Sequence, residues 1–339
     1  MSFEIETTAD ECFGAEPGET ILGAALRQGI ELPYGCCNGL CGACAVRLLS
    51  GAIDYPSGRI EGLEGKPAGT CLTCQAVPRS ALRLSVPRRE RLEPIEVRIL
   101  PCRLERKEML TPDVVRLRLV LPAQQQLRCL PGQYLNLVLN DGRKRAFSIA
   151  NLPQRDGAIE LHVRRVPGGG FSGELLDGLR EQSILRVEAP LGNFVLREDA
   201  TRTILLVGGG TGFAPLAAMM EHIVHTGIHR PVRLYWGVRA RDDLYLPELP
   251  RRWRDLHPDF RFTPVLSEPD PQWDGRRGPV HAAVAADYPD LAAFQVYLSG
   301  PPAMVEAARA AFVAQGADPG QIFSDAFTPA SDRGAAGVS

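Results

Sequence analysis

Three cysteines near the start of the chain have a spacing that can hold a metal cluster. Cys36, Cys41 and Cys44 fall as C-x4-C-x2-C in the run Pro33-Tyr-Gly-Cys-Cys-Asn-Gly-Leu-Cys-Gly-Ala-Cys44. Three thiolates on one loop and a distant fourth suit a [2Fe-2S] cluster. Gly35, Gly39 and Gly42 let the backbone wrap closely, and the N–H groups of such a loop can bond the sulfurs and tune the potential. The fourth ligand is Cys71 or Cys74. A structural zinc site pairs its cysteines as two close CxxC arms, which this pattern does not do. Cys37 lies inside the loop but breaks the spacing, so it reads as a neighbour. Nine cysteines at uneven intervals argue against a disulfide framework. Cys12, Cys102 and Cys129 read as ordinary thiols, as does whichever of Cys71 and Cys74 is not a ligand.

A cluster of this kind takes one electron, whereas a reduced nicotinamide gives a hydride. Something must divide the pair, and a flavin can. The middle of the chain has residues suited to a flavin. Pro131-Gly-Gln-Tyr134 opens a strand, Arg145-Ala146-Phe147-Ser148 follows, and Val166-Pro-Gly-Gly169-Gly170-Phe-Ser172 leads toward the helix-like ELLDGL. A glycine turn at a helix N-terminus presents free N–H groups to a phosphate.

Further on, Ile204-Leu-Leu-Val-Gly208-Gly209-Gly210-Thr211-Gly212-Phe-Ala-Pro215 is an apolar strand, a glycine turn and a helix start. It suits a pyrophosphate but is not a true G-x-G-x-x-G, because Phe213 takes the third glycine's place. Arg239 and Arg241 follow the next strand. They read either as a 2′-phosphate site or as a solvated face. Tyr297-Leu-Ser299-Gly300-Pro301-Pro302 and Ile322-Phe-Ser-Asp325-Ala-Phe327 come last. His281, after a Gly-Pro turn, reads as structural, since a flavin accepts hydride without an acid–base partner.

These motifs need elements to hold them. Runs such as VVRLRLVL, YLNLVL, AIELHVRRV and ILRVEAPL are short strands separated by turns, as in an antiparallel β-barrel. After residue 200, ILLVGG, VRLYWGV, FTPVLS and VYLSG read as buried strands. They alternate with helix-like PLAAMMEHIVHTG and AMVEAARAAFVAQG, the pattern of a parallel α/β sheet. The expected architecture is therefore multidomain: residues 1–92 around the cluster loop, 93–199 as the barrel, 200–328 as the α/β domain, and 329–339 as a disordered tail. A chain of 339 residues accommodates this. The net charge of -2 carries no basic excess for nucleic acid. No apolar run reaches membrane-span length, and the acidic, alternating N-terminus is unlike a signal peptide, so the chain reads as cytoplasmic. Up to Ser80 there are ten Asp/Glu against five Lys/Arg, an acidic face for a partner.

Taken in order, the motifs resemble the ferredoxin-NADP reductase superfamily with an N-terminal plant-type [2Fe-2S] ferredoxin domain. RAFS resembles that family's R-x-Y-S, and GGGTGFAP its nucleotide turn. The resemblance extends to CDP-6-deoxy-3,4-glucoseen reductases and to the reductase components of oxygenases such as phenol hydroxylase and methane monooxygenase. It implies a β-grasp ferredoxin domain, an FAD-binding barrel and a nicotinamide-binding domain, with FAD, a [2Fe-2S] cluster and NADH (or NADPH) as cofactors. It makes Cys74 the fourth ligand beside Cys36, Cys41 and Cys44.

By the same resemblance, Arg145, Ala146, Phe147 and Ser148 contact the flavin, Ser148 near its reactive nitrogen. Gly169, Gly170 and Ser172 lie under the FAD phosphates. Gly208, Gly209, Gly210, Thr211, Gly212, Arg239, Gly300 and Pro301 bind dinucleotide, and Phe327 ends close to the flavin. Ser148, Ser299 and Asp325 become candidates for shaping hydride transfer. Two positions depart from the family pattern: Phe147 replaces a tyrosine, and Ser299 replaces a cysteine. The implied partner is an electron-accepting protein, a dehydratase or an oxygenase component. A subunit of a larger redox complex that oxidises no free dinucleotide is an alternative, which the intact GGGTG and SGPP runs disfavour.

Overall fold

A computed structural model describes residues 2–30, 32–86, 95–139, 142–165, 176–198 and 201–327. They group into two compact units, the first of residues 1–94 together with the residues from Asp325 on, the second of residues 95–324.

In the first unit, β1 (Phe3–Thr7) and β2 (Cys12–Ala15) form a hairpin with Ile5 opposite Phe13. Helix α1 (Ile21–Arg27) starts at Thr20, whose hydroxyl accepts the Gly23 N–H at 3.1 Å. That bond satisfies one of the amides a helix start leaves unpaired. Then come β3 (Ala45–Ser50), β4 (Ile53–Asp54), β5 (Thr70–Leu72), β6 (Val77–Pro78) and β7 (Leu82–Ser85). The sheet order is β2-β1-β7-β3-β5, with β1 and β7 parallel at its centre. Ile21, Leu22, Ala24 and Ala25 of α1 are buried with Ile5, Val46, Leu72 and Leu84 of the sheet. A mixed sheet with one helix packed on it is the β-grasp arrangement.

The second unit opens with β8 (Arg98–Met109), β9 (Val114–Val120), β10 (Tyr134–Val138) and β11 (Lys144–Ser148). The short helix α2 (Pro153–Asp156), β12 (Ala158–Arg164) and β13 (Ile184–Leu191) follow. They pair antiparallel in the order β11-β10-β13-β8-β9-β12. An Ile149–Leu161 bridge, beside the Ala150 N–H to Glu160 carbonyl bond of 2.9 Å, joins the first strand of that order to the last. The sheet thus closes on itself as a barrel, which removes its edges. Leu104, Leu117, Leu135, Leu161 and Val187 fill the inside.

The same unit continues as β14 (Thr203–Gly209), α3 (Phe213–Thr226), β15 (Val232–Val238), α4 (Glu248–Leu256), β16 (Phe260–Leu266) and β17 (Arg276–Arg277). Then come α5 (Val280–Asp287), β18 (Phe294–Gly300), α6 (Pro302–Ala314) and β19 (Ile322–Ala326), of which the residues up to Ser324 belong to this unit. The order is β17-β16-β15-β14-β18-β19, and β14 pairs parallel with both β15 and β18. The chain leaves β14 toward one side of the sheet and later returns on the other. Such a switch point opens a crevice at the carboxyl ends of the two strands, the usual place for a ligand in an open α/β sheet. Gly208–Gly209 and Ser299–Gly300 stand there. Among the described residues no helix is long and apolar enough to cross a membrane.

Candidate cluster, flavin and dinucleotide sites

The four predicted sulfur ligands form two close pairs. The Cys36 and Cys41 pair is laced by backbone: the Cys41 N–H donates to the Cys36 sulfur at 3.3 Å, and the Cys36 N–H to the Cys41 sulfur at 3.4 Å. The Ala43 N–H adds a third such bond to Cys41 at 3.4 Å. In the second pair the Cys44 thiol donates to the Cys74 sulfur at 3.2 Å. The hydrogen bond from Cys41 holds the Cys36 thiol low, and the bond to Cys36, with burial, pushes Cys41 up. Likewise Cys74 is held low by Cys44, and Cys44 is raised by that bond and by burial.

Two sulfurs per iron is what a binuclear cluster asks of a protein.

The backbone around these sulfurs leaves no room for side chains. Gly39 has φ +85°, and a Cβ there would stand 2.5 Å from the Arg59 carbonyl. A Cβ on Gly42 would stand 2.9 Å from the Gly62 carbonyl. Gly62, whose N–H donates to the Gly39 carbonyl at 2.8 Å, was not singled out by the sequence. A lone glycine carries no pattern; its partner is set by the fold. Cys71 is fully buried in β5, where burial pushes its thiol up to about 12, and it belongs to the hydrophobic core. Cys37 is exposed, with its thiol directed at the Gly35 carbonyl at 3.6 Å. The soft donor set and the glycine cradle fit an iron–sulfur cluster.

Arg145, Ala146, Phe147 and Ser148 lie together on β11, paired with Leu137, Asn136, Leu135 and Tyr134 of β10. Alternation puts Arg145 and Phe147, both half-buried, on one face, where Phe147 packs against the barrel core; Ser148, buried at the strand end, shares the other face with exposed Ala146. Gly169, Gly170 and Ser172 lie outside the described residues.

The dinucleotide motifs converge at the switch point. Gly208 pairs with Ser299 across β14 and β18. A Cβ on Gly212 would stand 2.1 Å from the Ser299 carbonyl oxygen, and one on Gly209 3.0 Å from Pro301. Gly300, at φ +137°, packs against the Gly209 backbone. Gly210, Thr211 and Gly212 form a single 3-10 turn ahead of α3, and the Trp236 indole N–H donates to the Gly210 carbonyl at 2.9 Å. The Trp236 ring stacks on Phe213 at 3.9 Å. Phe213 is therefore a packing residue, which explains why the third glycine is absent. The Ser299 side-chain oxygen is buried and has no hydrogen-bond partner among the described residues. An unpaired hydroxyl in a crevice of glycines suits a polar ligand group.

Arg239 is exposed at the end of β15, 3.8 Å from Asp243, and the Arg241 guanidinium lies over the Trp273 ring at 6.0 Å. His281 is half-buried at the start of α5. Asp325 lies in β19 and Phe327 just beyond it, both half-buried. Sequence reasoning missed Arg164. It ends β12, its Nε donates to Asp113 at 2.8 Å, and its Nη1 would be 2.9 Å from a Cβ on Gly210. Its one signal was the alternation Glu160, His162, Arg164, which also describes a solvated strand face.

Comparison with known proteins matches three families along the chain. Residues 5–79 match the 2Fe-2S iron-sulfur cluster binding domain, 101–196 the oxidoreductase FAD-binding domain, and 206–310 the oxidoreductase NAD-binding domain. The chain is 39% identical to the CDP-6-deoxy-L-threo-D-glycero-4-hexulose-3-dehydrase reductase of Yersinia pestis, over 94% of this chain and 95% of that one. It is 35% identical to a terephthalate 1,2-dioxygenase reductase component of Comamonas sp, over 89% and 90%. Among solved structures, an Amycolatopsis cytochrome P450 reductase superposes with a TM-score of 0.78 at 36% identity, over 97% and 100%. The chain belongs to the family of NAD(P)H-dependent oxidoreductases that join a [2Fe-2S] domain, an FAD-binding domain and an NAD-binding domain in one polypeptide.

Proposed function

We propose that this reductase draws electrons from NADH in preference to NADPH and delivers them singly to the dehydrase of a deoxysugar pathway, in the cytoplasm. The observation that carries the choice of acceptor is the 39% identity to the Yersinia pestis reductase along nearly the whole of both chains. A second reading, an oxygenase component as acceptor, is favoured by the similarly complete match to the Comamonas protein. The division of labour is residues 1–92 for the cluster, 93–199 for FAD and 200–328 for the dinucleotide.

When bound, FAD supplies the two-electron to one-electron conversion that no side chain here can perform. The chain's own residues bind and orient. Gly208–Gly212 admit a pyrophosphate close to the backbone, and Arg164 beside Gly210 adds positive charge to that site. Ser299 offers its unpaired hydroxyl to the nicotinamide end, with Gly300 and Pro301 shaping the wall. Arg145 takes the flavin pyrophosphate, Phe147 lies against the flavin or its ribityl chain, Ala146 contacts the flavin from the neighbouring position, and Ser148 donates near the ring's reactive nitrogen. Gly169, Gly170 and Ser172 cradle the phosphates, and Asp325 and Phe327 complete the flavin's surroundings. Arg239 lies near the adenosine end. Cys36, Cys41, Cys44 and Cys74 hold the cluster, and the acidic domain around them meets the partner.

The test is turnover with purified partners. Dideoxysugar product formed with NADH and a pyridoxamine-dependent dehydrase supports the first reading. Coupling only to a dioxygen-dependent hydroxylation replaces it with the second.

A further inference from the structure

Strand β12 has two unlike faces. Ile159, Leu161 and Val163 fill the barrel core, while Glu160, His162 and Arg164 alternate on the other face. The His162 side chain is nonetheless fully buried. Its Nδ1 lies 3.2 Å from the Tyr245 hydroxyl, and its Nε2 lies 3.0 Å from Glu160 Oε1. Tyr245 is 83 residues away in sequence, in the segment after β15, and it is buried too. Its ring meets Trp236 edge-on at 5.0 Å, and Trp236 holds the Gly210 carbonyl. A continuous line of contacts therefore runs Glu160–His162–Tyr245–Trp236–Gly210, from the flavin barrel to the dinucleotide turn.

The line has a direction. The carboxyl of Glu160 is raised by burial but lowered more by its hydrogen bond to His162 and by the charges of His162, Arg116 and Arg118, so it is ionised and accepts. His162 Nε2 therefore donates to Glu160, and Nδ1 meets the Tyr245 hydroxyl, which can either donate or accept.

We infer that His162 is a positioning residue for hydride transfer: with Tyr245 it clamps the glycine turn of the dinucleotide domain in register with the flavin barrel. The inference rests on the dinucleotide role proposed for Gly208–Gly212. Apolar packing between the two lobes, through Val114, Phe194 and Leu196, resists separation but is indifferent to sliding. A buried hydrogen bond is directional, and sliding would strand both of its partners. Hydride transfer is sensitive to displacements on this scale.

The experiment uses the full holoprotein and three variants: Tyr245→Phe, which removes one oxygen and keeps the ring, His162→Leu, and His162→Gln as the conservative change. Flavin reduction by NADH is followed by stopped flow over a range of NADH concentrations. Tyr245→Phe and His162→Leu are expected to lower the limiting rate about tenfold with NADH affinity nearly unchanged. The double variant should be no slower than the slower single one, and His162→Gln should recover part of the rate. Flavin and cluster midpoint potentials should stay at wild-type values. A limiting rate equal to wild type in Tyr245→Phe overturns the clamp, even if the variant melts earlier.

A second measurement separates this outcome from failure of the dinucleotide reading. Hydrogen exchange at Gly208–Gly212 is expected to quicken about tenfold in Tyr245→Phe without any dinucleotide present. Unchanged exchange there overturns the clamp. Wild-type flavin that NADH does not bleach overturns the reading of the turn, and the clamp is then decided by exchange alone.

Discussion

Gly212→Ala tests the proposed dinucleotide site most sharply, because the structure sets the size of the effect. The backbone at Gly212, with φ -58°, suits alanine, so conformation is not the obstacle. The obstacle is space: the new methyl would stand 2.1 Å from the Ser299 carbonyl oxygen. That is roughly 1.3 Å inside ordinary van der Waals contact. The oxygen belongs to a strand end paired with Gly208, so neither side can rotate away, and the turn must separate from β18 by about 1 Å. Overpacking of this kind costs about 1–3 kcal/mol, a fraction of the ~5–15 kcal/mol that holds a domain together, so the variant folds. A misplacement of about 1 Å between reacting groups can cost a hundredfold in rate. Stopped-flow bleaching of the flavin by NADH should therefore slow by about that factor, while dithionite reduces flavin and cluster as in wild type. A rate within about threefold of wild type, at full cofactor content, would refute the reasoning.

Cys74→Ser should abolish the cluster's visible absorbance and its bound iron, whereas Cys71→Ala should retain both and lose only about 1 kcal/mol of stability from a small core cavity. Iron analysis and chemical denaturation of the two proteins check this. Ser299→Ala should leave the protein without dinucleotide as stable or up to about 1 kcal/mol more stable, since the hydroxyl it removes is unpaired. It should also slow hydride transfer about tenfold, read from melting curves and stopped flow. Glu160 is pulled below its ordinary value of 4.5, the pull of His162 and nearby arginines outweighing burial. The unfolded chain therefore binds more protons as pH falls past 4.5, and stability present above that pH is lost below it. Glu160→Gln should flatten the acid limb of a stability–pH curve; an unchanged slope would show that other carboxylates carry it.

What the sequence revealed depended on whether a requirement leaves a mark on local residue types. A cluster loop needs thiols and glycines at fixed intervals, so the pattern from Cys36 to Cys44 stands out in local sequence. The choice of Cys74 over Cys71 rests on resemblance, because both are spaced plausibly; Cys44, Cys71 and Cys74 are all buried in the same core, and it is Cys74 whose sulfur accepts from the Cys44 thiol. The glycine turn was legible because close approach to a strand end excludes side chains. Gly62, Arg164 and the His162–Tyr245 pair were not, since each acts on a residue far away in sequence. Even the missing third glycine made sense only once Phe213 was seen stacked on Trp236. Gly169, Gly170 and Ser172 fall outside the described residues, so that motif rests on sequence alone.

The central claim is that one chain carries electrons from a dinucleotide to a cluster. Anaerobic titration of the purified protein with NADH, followed by visible absorbance alongside iron and acid-labile sulfide analysis, tests it most directly. The account predicts equal iron and sulfide, and loss of both flavin and cluster absorbance at low NADH. Flavin absorbance alone, with zinc in place of iron, would contradict it.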